Sequence, residues 1–313
     1  MAETAQLEHR THSPRPEPPA PGGLLRGIVR TARPRQWVKN VLVVAAPVAA
    51  GQFLSAHAVT QLALVFVLFT ACSAAVYLVN DARDVEADRA HPTKCRRPVA
   101  AGDVPVPVAY AVGGALAVVT PLAAAWLTSP AVSALLAAYL VMQWAYSVSL
   151  KHVLVVDLVV VTTGFLMRAM IGGIALGIPL SRWFLITTGF GALFMVAAKR
   201  YSEALQMAGK AGATRALLSE YTTGYLRFVW QLAASVAVLG YCMWTLEDGA
   251  AHAGVLPWRQ LSMAAFILAV LRYAVFADRG TAGEPEEVVL RDRALALIGL
   301  AWLVLYGLAV APW

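Results

Sequence analysis

The run Gln61-Leu62-Ala63-Leu64-Val65-Phe66-Val67-Leu68-Phe69-Thr70-Ala71-Cys72-Ser73-Ala74-Ala75-Val76-Tyr77-Leu78-Val79 passes directly into Asn80-Asp81-Ala82-Arg83-Asp84-Val85-Glu86-Ala87-Asp88. The first part is almost wholly apolar and long enough to cross a bilayer as a helix. The second part is where that helix reaches water. Asn80, Asp81, Asp84 and Asp88 fall within an arc of about 100° on one helix face, while Arg83 and Glu86 point elsewhere. Carboxylates ~4 Å apart repel by ~4 kcal/mol at an effective dielectric of 20. Such a cluster is stable only with a cation among its oxygens, and hard oxygen donors at a membrane surface suit Mg²⁺ shared with a phosphate. The alternative is a solvated acidic helix end.

The same apolar character extends along the chain. Of its 313 residues, 59% are hydrophobic and only 14% charged, against about 25% charged in a soluble domain. The expected fold class is therefore an all-α polytopic membrane protein. Apolar stretches long enough to cross a bilayer occur at 38–54, 59–80, 106–127, 130–150, 153–177, 181–199, 226–246, 258–276 and 292–312. Residues 1–25 are polar and rich in proline, so they are expected to form a disordered arm without a cleavable signal peptide. Residues 26–313 are expected to form one transmembrane domain. Cys72, Cys95 and Cys242 are widely spaced, which argues against a disulfide framework or a zinc site.

The net charge of +7 is distributed by side. Arginine and lysine gather in the N-terminal arm and in the connections after the second, fourth, sixth and eighth stretches, whereas the opposite connections hold little beyond Arg182 and Arg259. The positive-inside rule then predicts a cytoplasmic N-terminus and an external C-terminus in the cell membrane. Three cytoplasmic connections are long, 81–105, 200–225 and 277–291, so the chemistry is expected on that face. No nucleic-acid partner is expected, and small residues on several spans would permit a homo-oligomer.

After Asp88 comes His91-Pro92-Thr93-Lys94-Cys95-Arg96-Arg97-Pro98. Cations beside metal-binding carboxylates suit a pyrophosphate, whose outer oxygens need Lys or Arg. Ordinary positive-inside charge is the alternative. The motif Asn80-Asp81…Asp84…Asp88 followed by His91-Pro92…Lys94…Arg97-Pro98 resembles the first signature of the UbiA superfamily of intramembrane prenyltransferases. Tyr146-Ser147, Leu150-Lys151, Asp157, Arg168 and Gly172-Gly173 also fit that family. The resemblance implies a nine-helix bundle around a central cavity, open to the cytoplasm and to lipid, and implies Mg²⁺ held by Asn80, Asp81, Asp84 and Asp88.

One departure stands out. Where the family carries a second aspartate-rich motif, this chain reads Lys199-Arg200-Tyr201-Ser202-Glu203. The alternative there is an ordinary interfacial i,i+4 pair between Lys199 and Glu203. Together with the polar run Arg33-Pro34-Arg35-Gln36-Trp37-Val38-Lys39-Asn40, this resembles the branch of the superfamily that moves phosphoribose from phosphoribosyl pyrophosphate to a polyprenyl (decaprenyl) phosphate. That step leads toward the arabinose donor for cell-wall arabinan. A donor with two charged ends and an anionic acceptor call for more positive charge and fewer carboxylates. The resemblance assigns catalysis to Asp81, Asp84 and Asp88. It assigns substrate contacts to Gln36, Lys39, Asn80, Lys94, Arg97, Tyr146, Lys151, Arg168, Lys199, Arg200, Tyr201 and Glu203. Asp157 is expected to support the site by pairing with a cation such as Lys151. Arg168, inside a span, must face the bundle interior, touching substrate or bracing the site. The glycine pairs are expected to serve helix packing.

Two other classes compete. An ordinary prenyltransferase would keep the first motif and pass a prenyl group to an aromatic or other small acceptor. A transporter would show inverted halves and broken helices in matching positions, and no such symmetry is visible. The alcohol phosphotransferases also use spaced aspartates, but their second Asp-Gly group is missing here.

Overall fold

The computed structural model describes residues 21–207, 220–247 and 257–310. Most of the predicted N-terminal arm and the middle of the predicted 200–225 connection lie outside them. The described chain is helical throughout. Its elements are α1 (Pro21–Thr31), a 3₁₀ segment (Pro34–Val44), α2 (Ala45–Ala49), α3 (Ala56–Arg83), α4 (Val85–Arg89), α5 (Pro98–Ala101), α6 (Val106–Leu127), α7 (Pro130–Val148), α8 (Val156–Ala175), α9 (Arg182–Met207), α10 (Thr223–Glu247), α11 (Trp258–Asp278), α12 (Pro285–Arg291) and α13 (Arg293–Val310).

Seven of these helices, α3, α6, α7, α8, α10, α11 and α13, are long and apolar enough to cross a membrane. Their starts follow local chemistry. Ser55 caps α3 by accepting the Ala58 amide, and Ser129 caps α7 by accepting that of Val132, with Pro130 in the first turn where no N–H is needed. Large apolar side chains such as Leu122, Trp126, Leu239, Leu271 and Leu297 stand exposed. In a soluble protein that much bare apolar surface would drive association; here it is the face turned to lipid.

Two of the nine expected spans are not among these seven. Residues 38–54 do not make one α-helix. The 3₁₀ segment begins at Pro34, runs to Val44 and hands over to the short α2, which contains Pro47 and stops before Gly51 with φ +67°. Such long 3₁₀ runs are uncommon and mark strained or functional segments. α9 has the length of a span, but its last turns carry Lys199, Arg200 and Glu203.

Packing divides the helices into two groups. Val65, Phe69 and Cys72 of α3 meet Leu136 and Tyr139 of α7 and Ile171 of α8 in one core. Phe194, Ala197 and Tyr201 of α9 meet Leu226 and Trp230 of α10 and Tyr273 of α11 in another. α3 is central, with 56% of its apolar window buried, whereas α13 is peripheral at 11%. The 3₁₀ segment lies directly on α8. A Cβ on Gly172 would overlap the Val43 carbonyl, and one on Gly173 would stand 2.9 Å from the Ala46 Cβ. The glycine pair thus serves close packing, as small residues do in lipid.

The predicted connections are partly structured. Residues 81–105 contain α4, α5 and a 3₁₀ turn at Lys94–Arg96, and residues 277–291 contain α12. α3 does not run straight through the aspartate motif. It ends at Arg83, and Asp84, with φ −90° and ψ 12°, joins it to α4.

Candidate active site

The first polar cluster forms where α3 ends. Asp81 and Asp88 are 2% and 3% exposed, so each buried carboxylate needs a cationic partner. Arg33 supplies one, donating from Nη2 to the Asp81 Oδ1 at 2.7 Å while its guanidinium lies 4.5 Å from the Tyr77 ring. Arg97 supplies the other through Nη1, which donates to Asp81 at 3.1 Å and to Asp88 at 2.7 Å. Both arginines precede a proline. Arg97 has the extended backbone this favours, which starts α5 and aims the side chain back at α3. Arg33 instead sits at φ 55°, a left-handed conformation costly for a side-chain-bearing residue and found at sites the surrounding fold constrains.

Two arginines thus pair with two of the motif's three aspartates. Asp84, half-buried at the joint between α3 and α4, has no side-chain partner among the described residues. No group of three or more His, Cys, Asp or Glu side chains that could hold a metal occurs among them. The donors still fit Mg²⁺ in kind. That ion takes oxygen ligands, usually one or two carboxylates completed by substrate phosphates and water, and Asp84 leaves one carboxylate uncompensated on the stretch that also carries Asp81 and Asp88.

The second cluster joins α7, α8 and α9. Asp157, 3% exposed in the first turn of α8, accepts from the Tyr146 hydroxyl at 2.5 Å and from Arg200 at 3.2 and 3.3 Å. Arg200 also reaches Glu203 at 3.2 Å, and Lys199 pairs with Glu284 at 3.0 Å. A cleft of about 770 Å³ opens beside Glu203 and Glu284, with Arg279 and Arg291 on its wall. Just before Asp157, Val155 stands at φ 68°, where a β-branched residue is strained. The Val155 amide donates to the Tyr221 hydroxyl at 2.7 Å, which holds that conformation. Burial keeps the Tyr221 phenol above its ordinary range, and the hydroxyl oxygen is the acceptor. Tyr221→Phe should therefore cost about 1–2 kcal/mol of stability and lower turnover by loosening Asp157. Thermal unfolding and steady-state rates of the purified chain check this; an unaltered melting curve would refute the tie.

A third centre lies deeper. Arg168 of α8 is 8% exposed and donates to the Asn40 side-chain oxygen at 2.9 Å, the Gly164 carbonyl at 2.7 Å and the Tyr139 hydroxyl at 2.8 Å. The Tyr77 ring, 4.5 Å from the Arg33 guanidinium, also lies within electrostatic reach of Asp81, Tyr139 and Arg168.

The sequence profile of the UbiA prenyltransferase family matches residues 41–298. The chain belongs to that family. Among its UbiA-family relatives, the decaprenyl-phosphate phosphoribosyltransferase of Mycobacterium tuberculosis is 50% identical over 297 residues, covering 93% of this chain and 96% of that protein. The enzyme of the same name from Corynebacterium glutamicum is 43% identical over 294 residues, covering 93% and 88%. The fold is similar to that of a UbiA homologue from Archaeoglobus fulgidus bound to GPP and Mg²⁺, with a TM-score of 0.66 over 91% of this chain and 99% of that one, at 17% identity.

Within this UbiA frame the residues singled out from sequence separate. Asp81, Asp88 and Arg97 come together, with Asp84 and the half-buried Asn80 on the same stretch of helix. Tyr146, Arg200 and Glu203 come together around Asp157, and Lys199 adjoins them through Glu203 at 4.0 Å. The expected partner of Asp157 is corrected: Arg200 of α9 pairs with it, and Lys151 stands half-buried in a separate 3₁₀ turn. Tyr201 joins neither cluster. It is 1% exposed in the α9–α10 core and its hydroxyl is taken by Arg227. Lys94 is exposed and makes no side-chain contact in the described residues; Gln36 and Lys39 lie half-buried on the 3₁₀ segment. His91 shapes its loop by accepting the Thr93 and Lys94 amides on Nδ1. Sequence reading passed over Arg33, Asn40, Tyr77 and Tyr139 as site residues. The Arg33-Pro34 pair ahead of a polar run was the one local signal for the first.

Proposed function

We propose that this chain transfers 5-phosphoribose from phosphoribosyl pyrophosphate to a polyprenyl phosphate of the decaprenyl class, releasing pyrophosphate. The observation that carries this reading is the 50% identity, nearly end to end, to a decaprenyl-phosphate phosphoribosyltransferase. The Lys199-Arg200 pair supports it, because a donor with a phosphate at each end needs cations at two places.

In this reading the 3₁₀–α2 segment and α9 cross with the seven apolar helices, making nine crossings. Eleven 3₁₀ residues rise about 22 Å and the turn of α2 about 7 Å more, close to the hydrocarbon thickness. With the N-terminus cytoplasmic, the aspartate cluster faces the cytosolic donor and the bundle's interior opens toward lipid.

Asp84, with Asp81 and Asp88, would hold Mg²⁺, which when bound neutralises the departing pyrophosphate. Arg97, about a third exposed at the mouth of the cluster, donates to the outer phosphate oxygens, and Lys94 adds a second cation from the same loop. Lys199 takes the ribose 5-phosphate in exchange for Glu284. Arg200 stays with Asp157 and fixes the Tyr146 hydroxyl beside the sugar. The lipid phosphate attacks C1 from the face opposite the leaving group, inverting that carbon. Since the nucleophile is already an anion, no strong general base is needed; the rate comes from leaving-group stabilisation and positioning.

A second reading, prenyl transfer from a prenyl pyrophosphate to a small acceptor, is favoured by the fold's likeness to a UbiA homologue bound to GPP. Membranes from cells expressing the chain, given phosphoribosyl pyrophosphate and a prenyl pyrophosphate carrying different labels, decide between them. The ribose label should pass into a lipid-extractable, phosphate-linked product. Label from the prenyl donor alone would establish the second reading instead.

A further inference from the structure

Among the described residues, Arg168 is a buried cation without a carboxylate partner. Twelve residues beyond Val156, it sits about 18 Å along α8, near the middle of a hydrocarbon layer about 30 Å thick. A charge there costs at least about 2.5–3.5 kcal/mol on insertion scales. The structure offsets part of this with polar oxygens and aromatic faces. Asn40, Tyr139 and the Gly164 carbonyl accept from the guanidinium, and the rings of Phe69, Tyr139 and Phe165 lie 4.9, 5.1 and 5.7 Å from it. All of these are neutral. Among the described residues no carboxylate forms an ion pair with Arg168.

Two further details mark the place as a receptor for an anion. First, Asn40 is itself 1% exposed and is fixed by donating to Thr70 at 3.0 Å, which turns its oxygen to Arg168. An aspartate would serve the guanidinium better if bracing were the whole role; a neutral amide orients the cation and leaves its charge unspent. Second, the Gln143 amide nitrogen stands 3.1 Å, and the Arg168 Nη1 3.4 Å, from the point where a side chain on Gly164 would begin. The Gln143 side-chain amide has no hydrogen-bond partner among the described residues, so a free donor lies beside a free charge over a bare glycine.

We infer that Arg168, oriented by Asn40 and Tyr139 and joined by Gln143, binds the phosphate of the polyprenyl acceptor. The inference rests on the transfer reaction proposed above and assigns the acceptor's headgroup to this inner centre. Both substrates carry a phosphomonoester. The apolar surroundings select the lipid one, because the phosphate of a soluble donor would be stranded at this depth whereas that of a lipid arrives with an apolar tail. Tyr77, whose ring lies 4.5 Å from the Arg33 guanidinium of the aspartate cluster, is also within electrostatic reach of Arg168; so assigned, the lipid phosphate lies on the inner side of the ribose and the leaving group on the aspartate side.

Two variants of the full chain test this by steady-state kinetics with each substrate varied in turn. Asn40→Asp supplies the missing counterion with almost no change of shape. It should raise the KM for polyprenyl phosphate about ten- to a hundredfold, leave the donor KM within about twofold, and melt no lower than the parent. Arg168→Gln should do the same to the acceptor KM, with Arg168→Lys in between. Melting curves without donor give a second readout. Polyprenyl phosphate, but not uncharged polyprenol, should raise the melting temperature of the parent and do so far less for Asn40→Asp. If the parent transfers phosphoribose but Asn40→Asp leaves the acceptor KM unchanged, or shifts only the donor KM, the assignment of Arg168 to the lipid phosphate is overturned while the reaction stands. If the parent transfers no phosphoribose at all, the reaction itself falls.

Discussion

Asp84→Asn is expected to cut turnover by two to three orders of magnitude or more, about the loss seen when a group that stabilises transition-state charge is removed, and to blunt the dependence of the rate on Mg²⁺. The same variant should melt within about 0.5 kcal/mol of the parent's stability. Both halves of the expectation come from one feature. Asp81 and Asp88 are buried and tied to arginines, whereas Asp84 is half-buried and its side chain makes no hydrogen bond or ion pair among the described residues. A carboxylate held at the joint of two helices, with no partner to stabilise, contributes little to folding. Its charge is what remains for a cation that arrives with substrate. Asparagine keeps the shape and removes that charge. Mg²⁺ titrations of initial rate on purified parent and variant, with melting curves on the same samples, measure both. A variant that loses stability instead of activity would make Asp84 a structural residue.

Arg97→Ala is expected to do the opposite first. One guanidinium nitrogen bridges Asp81 and Asp88, and removing it leaves two carboxylates, each under 5% exposed, with Arg33 as the single remaining cation. Breaking a buried pair from one side costs about 3–5 kcal/mol, and here the guanidinium is itself a third exposed, so a loss on the order of 3 kcal/mol is expected. Activity should fall with it, since the proposed mechanism also has Arg97 donate to the pyrophosphate. The distinguishing sign is metal rescue. With the bridge gone, Mg²⁺ can settle between the stranded carboxylates, so the melting temperature of Arg97→Ala should rise with Mg²⁺ far more steeply than that of the parent. Equal slopes for the two proteins would show that Asp81 and Asp88 do not offer a cation site.

What sequence could reveal follows from how far each interaction reaches. The apolar helices and the aspartate motif are local patterns, and both read directly. The charge departure at Lys199-Arg200 was visible as a pattern too, but its consequence was not. Arg200 turns to an aspartate 43 residues away, so it completes a site whose acid comes from another helix. Arg33 and Asp81, 48 residues apart, are likewise a product of packing that no spacing rule predicts. Arg168 was legible as a charge that must point inward, because the membrane allows little else. That one of its partners would be the Asn40 amide depended on the route of the 3₁₀ segment. That segment was the hardest element to read: Pro47 weakened it as a helix, and its geometry is set by contact with Gly172 and Gly173 of α8. Tyr201 shows the converse failure. It sits in the middle of a polar motif, yet one position beyond Arg200 on a helix turns the side chain by about 100°, into the core beside Trp230.

The most direct measurement follows both products at once. Purified full-length chain in lipid nanodiscs receives labelled phosphoribosyl pyrophosphate, polyprenyl phosphate and Mg²⁺, and released pyrophosphate is counted against phosphoribose bound to lipid. One pyrophosphate per lipid-linked phosphoribose is expected, with neither product formed when polyprenol replaces its phosphate or when chelator removes the metal. Undiminished turnover in excess chelator, or pyrophosphate released without any phosphoribosyl lipid, would contradict a metal-assisted transfer at the Asp81–Asp84–Asp88 cluster.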